Sequence, residues 1–310
     1  MKQVPVYSNN SCYIDTLLAM LLTAPGLRDT VRRSLLDPGN IEINTGIRHT
    51  AQDMDALHRT AGYIKTELNR ISQFFEGQNV MESRTLRTIR RLFNRFYRTV
   101  NGHEEEDFEM NQVDPFDVLS LLSQMFILPY TATTDKGPSM FHDIIKIRAP
   151  FKDGVRTSKY VPQYVYDDAN DPDERESHDD DRQILDASEL LLSVERGKVI
   201  TKSYGKKEAK TVKVLDAVVP DQALSLKGSG DELKLSAIII HLSSGYSNGH
   251  YTLMIRYGDA WYYYDDLAGP LFKCIGSYDD MINYSIKKGS TTRYANIALK
   301  YSKAILYTRD

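Results

Sequence analysis

Cysteine is scarce in this sequence, and long apolar runs are missing from it. The 310 residues include 2 cysteines, Cys12 and Cys274, too few for a disulfide framework or for a zinc ribbon built from two cysteine pairs. No segment approaches the roughly 18 consecutive apolar residues of a membrane-spanning helix, and the first residues do not resemble a secretory signal. We therefore predict an intracellular protein of the cytoplasm or nucleus, without membrane association.

A marked excess of one charge is also missing. The net charge is −3, from 39 Lys and Arg residues against 42 Asp and Glu residues, so no nucleic-acid partner is expected. Six arginines recur at helical spacing in one segment whose apolar residues are phased for a core. A solvent-exposed helix face is therefore a simpler interpretation than a nucleic-acid stripe. These arginines are Arg84, Arg87, Arg90, Arg91, Arg95 and Arg98.

The hydrophobic pattern of the sequence changes along the chain, from helical periodicity to strand-like runs. Helical periodicity dominates residues 1–126, with one helix predicted after Cys12 and another opened by Pro115 at its first turn. From residue 127 onward, short β-branched and aromatic runs alternate with turn residues, which predicts strands. Helices followed by an antiparallel sheet favour an α+β fold. We predict one domain over residues 1–310, with a helical lobe at about 1–126 and a mainly β lobe at about 127–310.

Within the second part, two local patterns stand out. Residues 251–255 and 261–264 flank a turn that contains glycine, which predicts a β-hairpin. Residues 167–182 consist mostly of Asp and Glu, which predicts a mobile acidic insertion. A solvated loop is the simpler interpretation of that insertion, and a contact for a basic partner is the alternative.

The candidate chemistry begins at Cys12, directly before a helical run. The positive end of a helix dipole favours the thiolate, which is the reactive form of cysteine. A lone cysteine near a helix is nevertheless more often a packing residue, so its position alone does not decide its role. Cys274, His241 and Trp261 are predicted to be a packed thiol, a structural histidine and a core residue, respectively.

A cysteine nucleophile needs a base, and the base needs an orienting group. His250 begins one predicted strand of the hairpin, and Asp265 follows the other. Pairing of these strands would bring the carboxylate beside the imidazole, where it would hold the ring and stabilise its cationic form. A solvent-facing histidine on a surface hairpin explains this segment equally well when it is taken alone.

Four segments, in order, resemble the sequence boxes of ubiquitin-specific proteases. Residues 10–18, NSCYIDTLL, resemble the Cys box GNTCYMNSxLQ, and residues 112–122, QVDPFDVLSLL, resemble the box QQDAHEFLxxLL. The runs AIIIH, GHYT and WYYYDD within residues 237–266 resemble the His box, and residues 304–309 resemble the closing strand. The diverged boxes and the compact chain would suit a viral or otherwise remote source.

This resemblance implies a papain-like α+β fold with a helical thumb lobe and an antiparallel palm and fingers lobe. It implies Cys12 as nucleophile, His250 as general base and Asp265 as orienting acid. It further implies Asp266 as an auxiliary acid. Four residues are implied to lie next to the substrate, and these are Gln112, Asp114, Gly249 and Tyr251. The implied partner is ubiquitin or a ubiquitin-like protein, cleaved at the (iso)peptide bond after its C-terminal glycine, with no metal and no cofactor.

One departure from the family pattern concerns the oxyanion hole. Tyr7 stands five residues before Cys12, where the family carries an asparagine that stabilises the tetrahedral intermediate. Asn9 or Asn10 is then the expected side-chain donor, beside the backbone N–H of Cys12. Loss of one such donor costs on the order of 100- to 1000-fold in rate. The alternatives are therefore a catalytically weak or inactive ubiquitin-binding module, and a protease for another ubiquitin-like modifier.

Overall fold

The computed structural model describes most of the helical part and the strands of the second part. The described residues are 11–27, 30–37, 39–76, 83–102, 113–142, 145–148, 156–157, 184–200, 210–213, 217–226, 232–243, 249–268, 272–288 and 292–309. The predictions for Tyr7, Asn9, Asn10, Gln112 and the acidic segment 167–182 fall outside these ranges. None of the helices in the described part combines the length and the apolar composition that crossing a bilayer would require.

The chain divides into two compact units. The first comprises Met1–Pro129 and Tyr263–Lys273, and the second comprises Tyr130–Tyr262 and Cys274–Asp310. The first unit thus combines the helical part with a short segment from late in the chain. The prediction of one catalytic domain over the whole chain stays a prediction.

Five helices lie in the described part of the first unit. They are α1 Cys12–Thr23, α2 Val31–Leu36, α3 Ala51–Phe75, α4 Ser83–Asn101 and α5 Pro115–Met125. All 12 residues of α1 are buried, and α2, α3 and α5 contact it. A helix that is apolar all round belongs in an interior, so α1 forms the centre of this unit.

Local signals explain where two of these helices begin. Asp114 caps α5 because its Oδ1 accepts a hydrogen bond from the Phe116 backbone N–H at 3.0 Å. Asp117 completes the capping box by accepting from the Asp114 backbone N–H at 3.3 Å. Pro115 occupies the first turn, where its missing N–H has no cost, and the predicted helix start is confirmed. Thr50 caps α3 in a similar way, accepting from the Asp53 backbone N–H at 3.1 Å.

One expectation for α4 is wrong. Leu86, Ile89, Phe93 and Phe96 form a buried face, as predicted, but Arg90 lies on the buried side with them at 3% exposure. The described arginines of this helix that face solvent are Arg87, Arg91, Arg95 and Arg98. Helical spacing alone does not show that a long polar side chain can reach a buried partner from a core position.

The second unit is built on β-strands. The strands, in chain order, are β1 Tyr130–Thr134, β2 Gly137–Met140, β3 Ile145–Arg148, β4 Arg156–Thr157, β5 Ile184–Ala187, β6 Glu189–Glu195, β7 Gly197–Ile200, β8 Lys210–Lys213, β9 Val218–Val219, β10 Ala223–Ser225, β11 Glu232–Leu242, β12 His250–Tyr257, β13 Ala260–Tyr264, β14 Lys273–Gly276, β15 Ile286–Lys288, β16 Thr292–Tyr294 and β17 Ser302–Thr308. Two short helices accompany them, α6 Tyr278–Ile282 and α7 Ile297–Lys300.

The main sheet has eight strands in the order β14-β13-β12-β11-β17-β6-β3, with β10 also paired to β11. Its central strand β11 is buried from Leu235 to Leu242. In the antiparallel register on either side of β11, Ile239 lies opposite Leu253 of β12 and Ala304 of β17. β3 and β6 are parallel. The predicted hairpin and closing strand are confirmed as β12–β13 and β17.

Candidate active site

Cys12 is the first residue of α1, as the sequence predicted. Its side chain is 2% exposed, and it forms no disulfide. Ser11 precedes it, and the Ser11 carbonyl accepts hydrogen bonds from the backbone N–H groups of Ile14 and Asp15 at 2.9 and 3.0 Å. The thiol therefore stands at the positive end of the central helix, the end that favours an anion.

The segment after β13 supplies an acidic turn to the same unit. Asp265 Oδ1 accepts from the Leu267 backbone N–H at 3.0 Å, and its carbonyl accepts from the Ala268 N–H at 3.0 Å. Asp265 Oδ2 accepts from the Tyr263 hydroxyl at 3.4 Å. Asp265 is half-buried, whereas Asp266 beside it is 1% exposed. The carboxylate of Asp265 is thus oriented largely by its own turn.

Asp15 is the residue that sequence analysis did not assign. It lies one turn along α1 from Cys12 and is fully buried. Its Oδ2 accepts from the Ser11 hydroxyl at 2.6 Å, whereas its Oδ1 is buried without a hydrogen-bond partner among the described residues. Burial raises the pKa of Asp15 to about 7, while Ser11, Asp266 and Arg90 act in the opposite direction.

A sequence signal for Asp15 existed. In the resemblance to the Cys box, Asp15 falls at the position of an asparagine, CYMN against CYID. The change from an amide to an acid inside an apolar helix demands a buried partner. The sequence does not say which residue that partner is.

Two tyrosines and one arginine surround Asp15. Arg90 hydrogen-bonds to Tyr13, and burial raises the pKa of Tyr13. Burial and nearby negative groups also raise the pKa of Tyr264 well above its ordinary value. Its ring lies 5.6 Å from that of Phe272. The groups that act on Tyr264 are Asp15, Asp266, Asp265 and Cys12. The thiol and all three acids therefore lie within electrostatic reach of one buried phenol.

His250 belongs to the second unit, as the first residue of β12. It pairs with Leu242 of β11 and is 7% exposed. The preceding Gly249 has a steric role, because a Cβ there would lie 2.3 Å from His241 Nε2. The His241 ring stacks on that of Tyr251 at 4.4 Å and 12°. His241 is a packed structural residue, as predicted, and glycine lets the backbone before His250 pass beside it.

The structure also shows where most of the other predicted residues lie. Asp114 caps α5, and Trp261 is a core residue at 2% exposure. Cys274 is exposed, so the prediction of a packed thiol is wrong. It lies in β14, which ends the order of the described strands in the main sheet. The structure places Cys12, Asp265 and Asp266 in one unit and His250 in the other. Asn9, Asn10 and Gln112 lie outside the described residues.

No protein-family model matches the sequence, and no curated protein matches it. Solved structures with a similar fold do exist. The SAGA Ubp8/Sgf11/Sus1/Sgf73 DUB module bound to ubiquitin aldehyde matches with a TM-score of 0.58 at 13% identity, over 99% of this chain and 69% of that chain. The SAGA DUB module bound to monoubiquitin matches with a TM-score of 0.58 at 12% identity, over the same shares. The chain has the α+β fold of ubiquitin-specific proteases.

Proposed function

We propose that the protein is a cysteine-type deubiquitinase that hydrolyses the (iso)peptide bond after the C-terminal glycine of ubiquitin or a ubiquitin-like protein. One observation carries the proposal: a cysteine begins the central buried helix, in the same unit as the Asp265–Asp266 turn. The shared fold with modules bound to ubiquitin supports the choice of substrate. The order of the four sequence boxes supports it independently.

In the proposed reaction, the Cys12 thiolate attacks the scissile carbonyl carbon, and His250 takes the thiol proton. Asp265 orients the imidazole and stabilises its cationic form. His250 then gives the proton to the leaving amine, the C–N bond breaks, and ubiquitin remains as a thioester on Cys12. His250 next removes a proton from water, which attacks the thioester and releases the ubiquitin carboxylate and the free enzyme.

The tetrahedral intermediate needs hydrogen-bond donors for its negative oxygen. The backbone N–H of Cys12, in the first turn of α1, is one proposed donor, and the side chain of Asn9 or Asn10 is the other. Backbone N–H groups at a helix start point along the axis toward an incoming anion. Tyr7 at the family's asparagine position therefore does not by itself remove the oxyanion hole.

A ubiquitin-binding module without hydrolytic activity is the second candidate. The observation that favours it is the 2% exposure of Cys12, since a nucleophile must be reached by its substrate. The exposed Cys274 allows the two candidates to be separated. A small alkylating reagent should modify Cys274 first, whereas a ubiquitin-directed reagent should select Cys12 if the protein is an enzyme.

The test uses ubiquitin that carries a thiol-reactive group in place of its C-terminal carboxylate. The wild type and Cys274→Ser should form one covalent adduct, Cys12→Ser should form none, and His250→Ala should react at least tenfold more slowly. Binding of unmodified ubiquitin without an adduct would favour the binding module. An adduct that persists in Cys12→Ser would overturn the assignment of the nucleophile. Matching probes made from other ubiquitin-like proteins identify the preferred modifier.

A further inference from the structure

A cavity of about 270 Å³ lies in the second unit, apart from the residues of the proposed reaction. It is formed by the turn between β12 and β13 and by the start of α6, and its lining includes Arg256 near the end of β12. His250 begins the same strand, so a rise of about 3.3 Å per residue places these two residues about 20 Å apart along it. Sites for drug-sized ligands measure about 300–1,000 Å³. This smaller cavity suits a single amino-acid side chain.

An aromatic wall borders the cavity. It consists of Tyr278, which is half-buried, and Trp261, which is 2% exposed. The Tyr278 hydroxyl donates to the Pro220 carbonyl at 2.6 Å, and this bond fixes the segment directly before Gln222, which also lines the cavity. Burial raises the pKa of Tyr278 to about 12, so the phenol stays neutral. A side chain that enters therefore meets a preformed, uncharged aromatic surface.

The charged groups of the lining favour a cation. Asp259 and Asp279 both line the cavity, and both are exposed. The positive group is Arg256, whose Nε donates to the Leu235 carbonyl at 2.9 Å and whose Nη1 lies 3.5 Å from the Gly258 carbonyl oxygen. Its guanidinium is thus held against backbone carbonyls, and two aspartates against one arginine leave a formal excess of negative charge.

Local backbone structure places both aspartates at the cavity. Gly258 adopts a φ of 59°, which lets the chain reverse directly before Asp259. At the start of α6, Asp280 Oδ2 accepts from the Ser277 backbone N–H at 2.9 Å and from the Ser277 hydroxyl at 2.8 Å. These bonds belong to a capping box. Asp279 lies one residue earlier and is not a member of that box, so helix capping does not explain its carboxylate.

We propose that this cavity is a binding site for a basic side chain, lysine or arginine, presented by a partner protein. The carboxylates of Asp259 and Asp279 attract the cation, and the rings of Trp261 and Tyr278 contact its alkyl stem. The charge and the size of the cavity both match such a side chain. The inference does not rest on the proposed function, because none of these residues takes part in the proposed reaction.

The experiment uses the full chain and its 1 tryptophan. Because Trp261 lines the cavity, its indole N–H signal in a proton–nitrogen correlation NMR spectrum reports occupancy. The probes are short blocked alanine peptides that differ only in their central residue, which is lysine, arginine, norleucine or glutamate. The variants are Asp259→Asn, Asp279→Asn and the double variant. Asp55→Asn, an exposed change in the first unit, is the matched control.

The lysine or the arginine peptide should shift the indole signal of the wild type along a saturable curve, whereas the norleucine and glutamate peptides should not. Each single variant should bind the basic peptide about threefold more weakly, and the double variant about tenfold, because exposed ion pairs are individually weak. Added salt should weaken binding to the wild type more than binding to the double variant. Asp55→Asn should bind like the wild type.

An indole signal that responds to neither basic peptide would overturn the proposal. Equal responses to the lysine and norleucine peptides would also overturn it, because they would show that the charge is not recognised. A response to the glutamate peptide would instead show an anion site on Arg256. Unchanged affinity in the double variant would refute the assignment of the two aspartates. If circular dichroism shows that the double variant does not fold, the comparison of the peptides on the wild type decides alone.

Discussion

Replacement of Asp15 by asparagine should make the protein more stable at alkaline pH and leave its stability unchanged in acid. Burial raises the pKa of Asp15 from 3.8 to about 7 in the folded protein. The folded state then holds a proton that the unfolded state has lost between about pH 4 and pH 7. The stabilisation from the protonated side chain is fully present below about pH 4, and it is lost as the pH rises to about 7.

The size of the effect follows from the width of this window. About three pH units at about 1.4 kcal/mol each give at most about 4 kcal/mol of lost unfolding free energy in the wild type. Asp15→Asn cannot ionise, so its contribution does not change over the same range. The difference in unfolding free energy between the variant and the wild type should grow from near zero at pH 4 toward this limit above pH 7.

Urea unfolding at several pH values, followed by circular dichroism at 222 nm, measures this difference in the helical unit. The protein has 1 tryptophan, Trp261, in the second unit, so its fluorescence reports that unit separately. Asp55→Asn serves as the control for removing one carboxylate. Parallel curves of unfolding free energy against pH for the wild type and Asp15→Asn would refute the reasoning, because they would mean that Asp15 stays ionised beside Arg90.

Four further substitutions test the packing of the two units. Arg196 is 5% exposed and donates to the carbonyl and the hydroxyl of Ser302. In chemical denaturation, Arg196→Met should lower the free energy of unfolding by about 2–4 kcal/mol, and Ser302→Ala should lower it by only about 1 kcal/mol. Gly249→Ala must displace the His241 ring, so it should lower the rate of ubiquitin-probe labelling at least tenfold. An unchanged labelling rate would show that the ring can move aside freely. Leu18→Ala, in the fully buried α1, should cost about 3–5 kcal/mol in urea unfolding; a cost below 1 kcal/mol would contradict its core position.

The elements that could be predicted from the sequence are those with local signals. The start of α5 follows from Asp114 and Pro115. The β12–β13 hairpin follows from two β-branched and aromatic runs that flank the turn at Gly258, which adopts a φ of 59°. Helices α6 and α7 were not predicted, because they have 5 and 4 residues. Such segments are too short to show a helical period, and tertiary contacts stabilise them rather than intrinsic propensity.

The buried polar residues of the first unit could not be predicted in the same way. Arg90 has the spacing of its exposed neighbours, and only the packing of α4 shows that its guanidinium meets Tyr13. Asp15 sits in an apolar helix, where its burial is predictable, but Asp266, which acts on its pKa, lies some 250 residues later in the chain. A pattern within one segment identifies the buried face of a helix. It cannot identify a hydrogen bond that closes only when distant segments meet.

The acidic turn shows why residue type alone does not assign a role. Asp265 and Asp266 are adjacent, and successive side chains at the end of a strand point in opposite directions. Asp265 is half-buried and accepts hydrogen bonds from its own turn. Asp266 is 1% exposed and is one of the groups that lower the pKa of Asp15. Two like carboxylates in different surroundings can hold different protonation states and serve different purposes. The oxygens of Asp265 are therefore held by its own turn, whereas Asp266 is buried among the groups that act on Asp15.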